Sequence, residues 1–258
     1  MSFMRLHFTA SAAPLAQQAF KEFTAIHPQT PIDEADVIVG FGGDGEGLKG
    51  MREALNHQKP FFGIKCGHVG FLMNPLYNKY SLLERIRRAV SVTFHPLNIT
   101  ATLRDRPEEV HFSAFNEGVV RRMSPQSANL QVSYKLNGQE KGVAEVNHCD
   151  GCIVATPLGS SAYWRAVGGR SIPWSNHVLG IHSICSREKL SLRVNDRAEI
   201  IIRSMDSYKQ RPTIVSGDNQ ECKEPISSCR IAMNHQKGVQ VMFDPMTLLK
   251  KRLSQYIR

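Results

Sequence analysis

The feature that most limits the fold is the run Asp36-Val-Ile-Val-Gly-Phe41 followed at once by Gly42-Gly43-Asp44-Gly45. A short, almost wholly apolar run is what a parallel strand covered on both faces requires, because neither face can be polar. A glycine loop directly after such a strand lies at the carboxyl end of a sheet, where open α/β folds bind their ligands. The pattern recurs. Pro60 to Lys65 reads as a second buried strand and Gly67-His-Val-Gly-Phe71 as a second glycine loop. Met4 to Thr9 is a further strand. Pro14 suits the first turn of a helix, and Leu15, Ala19, Phe20 and Phe23 follow at helical spacing. Glu46 to His57 is predicted as a helix with Leu48, Met51 and Leu55 inward, weakened by Gly47 and Gly50. Tyr80 to Val92 is predicted as an amphipathic helix through Leu82, Leu83, Ile86, Ala89 and Val90. Strand and helix in alternation imply a parallel α/β sheet.

The period changes near His95-Pro96. Leu97, Ile99, Ala101 and Leu103 alternate with polar residues, as do Leu130, Val132, Tyr134 and Leu136, and Asn137-Gly138 supplies a hairpin turn. Runs at 200–203, 213–215, 230–233 and 239–243 are also strand-like, so residues 96 to about 243 read as mainly β. Met246 to Arg258 returns to helix through Leu248, Leu249, Leu253 and Ile257.

Composition excludes several classes. With 258 residues and 41% hydrophobic content, the chain can bury a large core and is not a disordered one. Its net charge of +9 favours polyanions such as nucleotides, and is equally compatible with ordinary solubility charge. Basic residues come as pairs and one triplet (Arg87-Arg88, Arg121-Arg122, Lys250-Lys251-Arg252) with no interleaved aromatic platform, which argues against a nucleic-acid partner. No apolar run approaches the roughly 20 residues that span a bilayer, and the N-terminus lacks a signal-peptide pattern, so a cytoplasmic protein with no membrane partner is expected. The six cysteines then read as free thiols. Cys149-x-x-Cys152 invites a zinc or redox reading, but no second pair at zinc spacing follows.

Gly40-x-Gly42-x-x-Gly45 matches the dinucleotide fingerprint, yet the acid that fingerprint needs about 20 residues on is missing from Pro60 to Cys66. The informative residue is Asp44. A carboxylate aimed at a phosphate is repelled by it, unless it meets Mg²⁺ or a hydroxyl that must lose a proton. The second role is general base catalysis of phosphoryl transfer. The competing reading is that Asp44 only caps the next helix.

Two other segments bear on the choice. The amide and carboxylate of Asn116-Glu117 can each form paired hydrogen bonds with a base edge or a ribose diol, although alone the pair also reads as a turn. In Asp150-Gly-Cys-Ile-Val-Ala-Thr156-Pro157-Leu-Gly159-Ser160-Ser161-Ala162-Tyr163, a strand runs into a hydroxyl-rich turn and a stackable aromatic. That suits a nucleoside. A capped helix with Tyr163 in the core is the plainer alternative.

Together these segments resemble the NAD kinase family, which carries a Gly-Gly-Asp-Gly loop, an Asn-Glu pair and an Asp-Gly strand leading into Thr-Pro-x-Gly-Ser-x-Ala-Tyr, in this order. Gly67 to Phe71 looks like a further loop of that family, and Gly168-Gly169 and Ser216-Gly-Asp218-Asn-Gln220 match more weakly. The resemblance implies a Rossmann-like α/β domain (1–95 with the tail helix 246–258 returning to it) and a β-rich, β-sandwich-like domain (96–245), with substrate at their junction. It implies transfer of the ATP γ-phosphate, or a phosphate of polyphosphate, to the 2′-hydroxyl of the adenosine ribose of NAD, giving NADP. Asp44 would be the base, and Gly42, Gly43 and Gly45 would face the ATP phosphates. The NAD-binding set would be Gly45, Phe71, Asn116, Glu117, His148, Asp150, Ser161, Ala162, Tyr163, Ala166 and Gln220. Mg²⁺ would come with ATP, and a homodimer or homotetramer is implied. The chain departs from the family pattern at Glu46, Leu158, Ser161, Trp164-Arg165 and Arg170. Gly-Gly-Asp-Gly also occurs in sugar and lipid kinases, so such a kinase and a non-catalytic NAD- or NADP-binding relative are the alternatives.

Overall fold

The apolar run after Asp36 forms a strand buried along its whole length, Val37–Gly42. The computed structural model describes residues 4–67, 70–205 and 210–254, the Leu253 side chain aside. His68 and Val69 of the second glycine loop, and Ile257 of the expected tail helix, lie outside the described residues. In chain order the elements are β1 (Leu6–Ala10), α1 (Pro14–Ile26), β2 (Val37–Gly42), α2 (Asp44–His57), β3 (Phe61–Lys65), α3 (Leu82–Arg88), β4 (Val90–Phe94), β5 (Leu97–Leu103), β6 (Glu109–Ala114), β7 (Glu117–Arg122), β8 (Ala128–Leu136), β9 (Gln139–Cys149), β10 (Gly151–Ala155), α4 (Tyr163–Ala166), β11 (Val178–Ile184), β12 (Ser191–Asn195), β13 (Glu199–Ser204), β14 (Thr213–Gly217), β15 (Gln220–Met233), β16 (Val239–Phe243) and α5 (Pro245–Ser254). They form two compact units, Met1–Phe94 with Lys237–Ile257, and His95–Gln236.

The first unit holds a sheet in the order β1-β2-β3-β16-β4. The β1–β2, β2–β3 and β3–β16 pairs are parallel, and β4 runs antiparallel to β16. Its core joins Phe8, Val39, Phe41, Phe62 and Ile64 of the strands to Ala16 and Ala19 of α1 and to Leu82 and Ile86 of α3. Small residues carry the buried face of α1, and Leu15, expected inward, is 42% exposed. The strand 239–243, expected with the β-rich part, is β16 of this sheet. The predicted helix from Tyr80 to Val92 is shorter. Ser81 closes a capping box with Glu84 at its start, and Ala89 turns to extended backbone at its end. Val90, Val92 and Thr93 are β-branched, which favours the edge strand they form.

The C-terminal segment returns to this unit. Fully buried Asn74 donates to the carbonyls of Gly63 (3.1 Å) and Met242 (3.0 Å) and accepts from the Asp244 amide (2.8 Å). Asp244 also forms a buried ion pair with Arg85 at 2.9 Å. These bonds fix the start of α5. In that helix Leu248 is buried, whereas Leu249, expected inward, is 50% exposed.

The second unit is an eleven-stranded sheet ordered β12-β11-β10-β7-β14-β15-β13-β8-β9, with β5 pairing β15 and β6. Every pairing in it is antiparallel. The alternating residues Leu97, Ile99, Ala101 and Leu103 point into its core with Val132, Val154, Ile181 and Ile200. Asn137 and Gly138 take positive φ (53° and 76°) and close the β8–β9 hairpin. Cys149 and Cys152 are buried in the same core, and burial pushes the Cys149 thiol up to about 11 and Cys152 higher still. Such thiols act as small apolar groups.

Gly47 and Gly50 weaken α2 as a helix but let it sit close to the sheet. A methyl at Gly50 would lie 2.2 Å from Cε2 of fully buried Phe61. Gly50→Ala should therefore lower stability by roughly 1–3 kcal/mol through overpacking, whereas at an open helix position the same change adds about 1 kcal/mol. Denaturant unfolding measures it, and a stabilised variant would show that α2 does not press on Phe61.

Candidate active site

The β2–α2 connection places Asp44 as the first residue of α2, with Gly43 as the N-cap and no side chain capping the helix. The capping reading of Asp44 therefore fails. Its carboxylate reaches across to the second glycine loop instead, accepting the Phe71 amide at 2.9 Å and the Leu72 amide at 2.7 Å. One bond falls on each oxygen. An ionised carboxylate has about four acceptor positions, so two remain for a hydroxyl. Gly42 and Gly43 precede this residue at the carboxyl end of a parallel strand, as the sequence implied.

Two further groups adjoin Asp44. Glu46, one of two acids in the first turn of α2, is buried, and its Oε1 has no hydrogen-bond partner among the described residues. Lys251 of α5 is 8% exposed and donates to the Phe71 carbonyl, so the Phe71–Leu72 peptide group, whose Leu72 N–H serves Asp44, is held from both ends. Burial pushes the Lys251 ammonium down to about 8, the Asp44 charge opposing and Lys65 adding to the effect.

In the second unit, Asn116 and Glu117 stand at the start of β7. The turn reading holds in part. Asp218 accepts the amides of Phe115 (2.8 Å) and Asn116 (2.9 Å) and so fixes the bend. Thr156 completes it, donating its hydroxyl to the Phe115 carbonyl (2.7 Å) and its amide to the Asn116 carbonyl (2.9 Å). Gly159 is essential to the contact, because a methyl there would lie 2.1 Å from the Asn116 carbonyl oxygen. Glu117 is buried, with Oε2 lacking a partner among the described residues. Burial, and then the Asp218 charge, push its carboxyl up to about 8, so it is mainly a neutral acid at pH 7. The buried Oε1 of Gln220 also lacks a partner among the described residues.

A cavity of about 710 Å³ opens in the same unit, lined by Asp150, Tyr163 and Ala166 together with Arg121, Arg122 and His182, among others. That volume suits a nucleoside-sized ligand. Tyr163 is 43% exposed, so it is no core residue. Its phenol is raised first by burial and then by Cys185, Asp150 and Glu117, with Arg121 opposing, which places it in the field of the expected site acids. Asp150 is ion-paired to Arg122 at 2.5 Å. His148, Ser161 and Ala162 are not among the residues that line the cavity. The His148 amide donates to Asn129 at 3.0 Å, and the Ser161 hydroxyl to the Leu158 carbonyl at 3.3 Å.

No family model matches the chain. An NAD kinase of Xylella fastidiosa (strain Temecula1) is 35% identical over 252 residues, covering 96% of this chain and 94% of that protein. An NAD kinase of Cereibacter sphaeroides is 32% identical over 258 residues, covering 98% of each. The chain belongs to the NAD kinase family. Among solved structures, yeast NADH kinase complexed with NADH has a TM-score of 0.80 at 18% identity, covering 96% of this chain and 86% of its own. An NAD kinase from Archaeoglobus fulgidus in complex with ATP has a TM-score of 0.69 at 19% identity, covering 97% and 99%. Both share the fold.

Within the family pattern, the departure at Trp164 is a packing change. The indole is buried with Val119, Ile153, Ile172 and Ile184, and its N–H donates to the Arg170 carbonyl at 2.9 Å. Sequence reasoning marked it only as a departure from the family pattern. It also gave no role to Lys251 or to the cavity residues Arg121, Arg122 and His182. Their only sequence signal was membership of unremarkable basic pairs or strands. Asp218 stood in a weakly matching segment.

Glu117 gives a pH test. The folded carboxyl holds its proton to about 8, while the unfolded one releases it near 4.5. Between these values the folded state binds more protons, so stability falls as pH rises, by at most about 1.4 kcal/mol per pH unit for one proton. Urea unfolding from pH 5 to 8 should show this decline in the natural protein and a flatter profile in Glu117→Gln. Identical slopes would mean that Glu117 is ionised in the fold.

Proposed function

We propose that this chain transfers the γ-phosphate of ATP to the 2′-hydroxyl of the adenosine ribose of NAD, forming NADP, with Asp44 as general base. The observation that carries the reading is the Asp44 carboxylate, which is tied to two amides of a neighbouring loop and leaves its helix uncapped. A residue needed only to start α2 would bond to the amides of α2. One held away from them, with lone pairs to spare, is set up for an incoming hydroxyl.

In the reaction the 2′-hydroxyl donates its hydrogen bond to Asp44. As the 2′-oxygen attacks the γ-phosphorus, its proton passes to the carboxylate, and the bond from phosphorus to the bridging oxygen of ADP breaks. Asp44 then releases the proton to solvent. The backbone amides of Gly42, Gly43 and Gly45 line the phosphate side, where the N-terminus of α2 favours anions. Mg²⁺ carried on ATP would neutralise phosphate charge, and Glu46, whose Oε1 lacks a partner among the described residues, is the acid of this turn suited to face it. In the second unit, neutral Glu117 can donate as well as accept, and with Asn116 it would hold the adenosine diol and base edge. Asp150, Tyr163 and Ala166 line the cavity suited to the nicotinamide half. Phe71 would lie near the adenine, with His148, Ser161, Ala162 and Gln220 around the nucleosides. The reading also includes a cytoplasmic homodimer or homotetramer.

Asp44→Asn keeps the shape of the side chain and removes the base. It should leave NAD binding roughly intact by calorimetry and lower NADP formation from ATP and NAD by about 10²–10⁴-fold. Turnover within a few-fold of the natural protein would remove Asp44 as the base. Preferential phosphorylation of a sugar or lipid in the same assay would overturn the acceptor.

A further inference from the structure

Lys251 is a buried cation whose hydrogen bonds, among the described residues, go to carbonyl oxygens and not to a carboxylate. Its Nζ donates to the Phe71 carbonyl and lies 3.5 Å from the Gly70 carbonyl. Two aromatic faces complete its surroundings, with ring centroids at 5.2 Å (Phe71) and 5.5 Å (Phe243). An ammonium ion costs free energy to bury, and such a group without an ion pair usually has work to do. The Phe71–Leu72 peptide group that receives it presents its N–H, that of Leu72, to Asp44.

We propose that Lys251 is a positioning residue for phosphoryl transfer, acting as an ammonium ion that holds the Phe71–Leu72 peptide group so that Asp44 is aimed at the acceptor hydroxyl. The inference rests on the reading of Asp44 as the base. Its geometry is a relay of three parts: the α5 ammonium on the Phe71 carbonyl, the Phe71 and Leu72 amides on the carboxylate, and the carboxylate on the substrate. The positive charge has a second effect, since it offsets the negative charge that Asp44 would otherwise present to ATP. The charged groups that act on Lys251 are Asp44 from α2, which favours the ammonium, and Lys65 from β3, which disfavours it. Its neighbours along α5, Lys250 and Arg252, are exposed.

The anchoring of α5 supports the assignment. Asp244, just ahead of the helix, is fixed by Asn74 and Arg85, so the height of Lys251 over the loop is set by buried polar bonds. A residue kept only to fill space there would be better made apolar, because the site is lined by Phe71 and Phe243.

The test is the pH dependence of kcat at saturating ATP and NAD for the natural protein, Lys251→Met, Lys251→Arg, Glu117→Gln and Asp44→Asn. The natural protein should lose turnover as pH rises through about 8, where Lys251 gives up its proton. Lys251→Met should lower kcat about tenfold or more at pH 7, with KM for NAD changed little, and should lack the basic limb. Lys251→Arg cannot be deprotonated in this range, so it should recover most of kcat and carry no limb near 8. Glu117 titrates in the same range, and the limb should persist in Glu117→Gln. If Lys251→Met keeps the limb and only melts at a lower temperature, Lys251 is structural and the proposal is wrong. If Asp44→Asn retains full turnover, the base assignment fails and this proposal falls with it. If Asp44→Asn is inactive while Lys251→Met matches the natural profile, only this proposal fails.

Discussion

The two hydrogen bonds from the Phe71 and Leu72 amides to the Asp44 carboxylate are the interaction on which the site in the first unit depends. They join the loop after β2 to the loop after β3, and so convert two separate glycine turns into one rigid rim. They also hold a negative charge where anions are expected to bind. Without them the carboxylate would turn to the free amides of its own helix, which are the nearest donors.

The surroundings fit that constraint. α2 lies close on Phe61 because Gly50 leaves room, and this fixes the height of Asp44 over the sheet. The C-terminal segment adds β16 to the sheet and brings Lys251 onto the far side of the Phe71–Leu72 peptide group. Buried polar bonds of Asn74, Arg85 and Asp244 keep that segment in place. In the second unit the same logic is repeated with different parts. Asp218 and Thr156 pin the bend at Phe115 and Asn116, which leaves Glu117 buried, neutral and short of one partner. Buried polar groups left incomplete in a rigid frame mark where a ligand would complete them.

Much of this was legible in the sequence, and the reasons differ by element. The buried strand at 37–42, the alternation from Leu97 onward and the turn at Asn137-Gly138 follow from side-chain period and turn chemistry, which are local. The position of β16 was not legible, because a five-residue strand-like run does not say which sheet it joins. The end of α3 was misplaced because Val90 and Val92 fit a helical stripe as well as a strand, and pairing with β16 decided the matter. Trp164 stood out only as a departure from the family pattern, and its burial beside the half-exposed Tyr163 could not be read from the sequence. Asp44 was the informative residue from the start, but its partners 27 and 28 residues away could not be read from spacing. Lys251 sits in an ordinary basic triplet, and only its burial sets it apart.

The central claim concerns one proton, that of the acceptor hydroxyl, and a structure of the closed complex with NAD measures it most directly. The account predicts an Asp44 carboxylate oxygen within about 2.6–3.2 Å of the ribose 2′-oxygen, with the Phe71 and Leu72 amides still bound to the carboxylate. A separation beyond about 4 Å, with no water between, would contradict proton abstraction by Asp44.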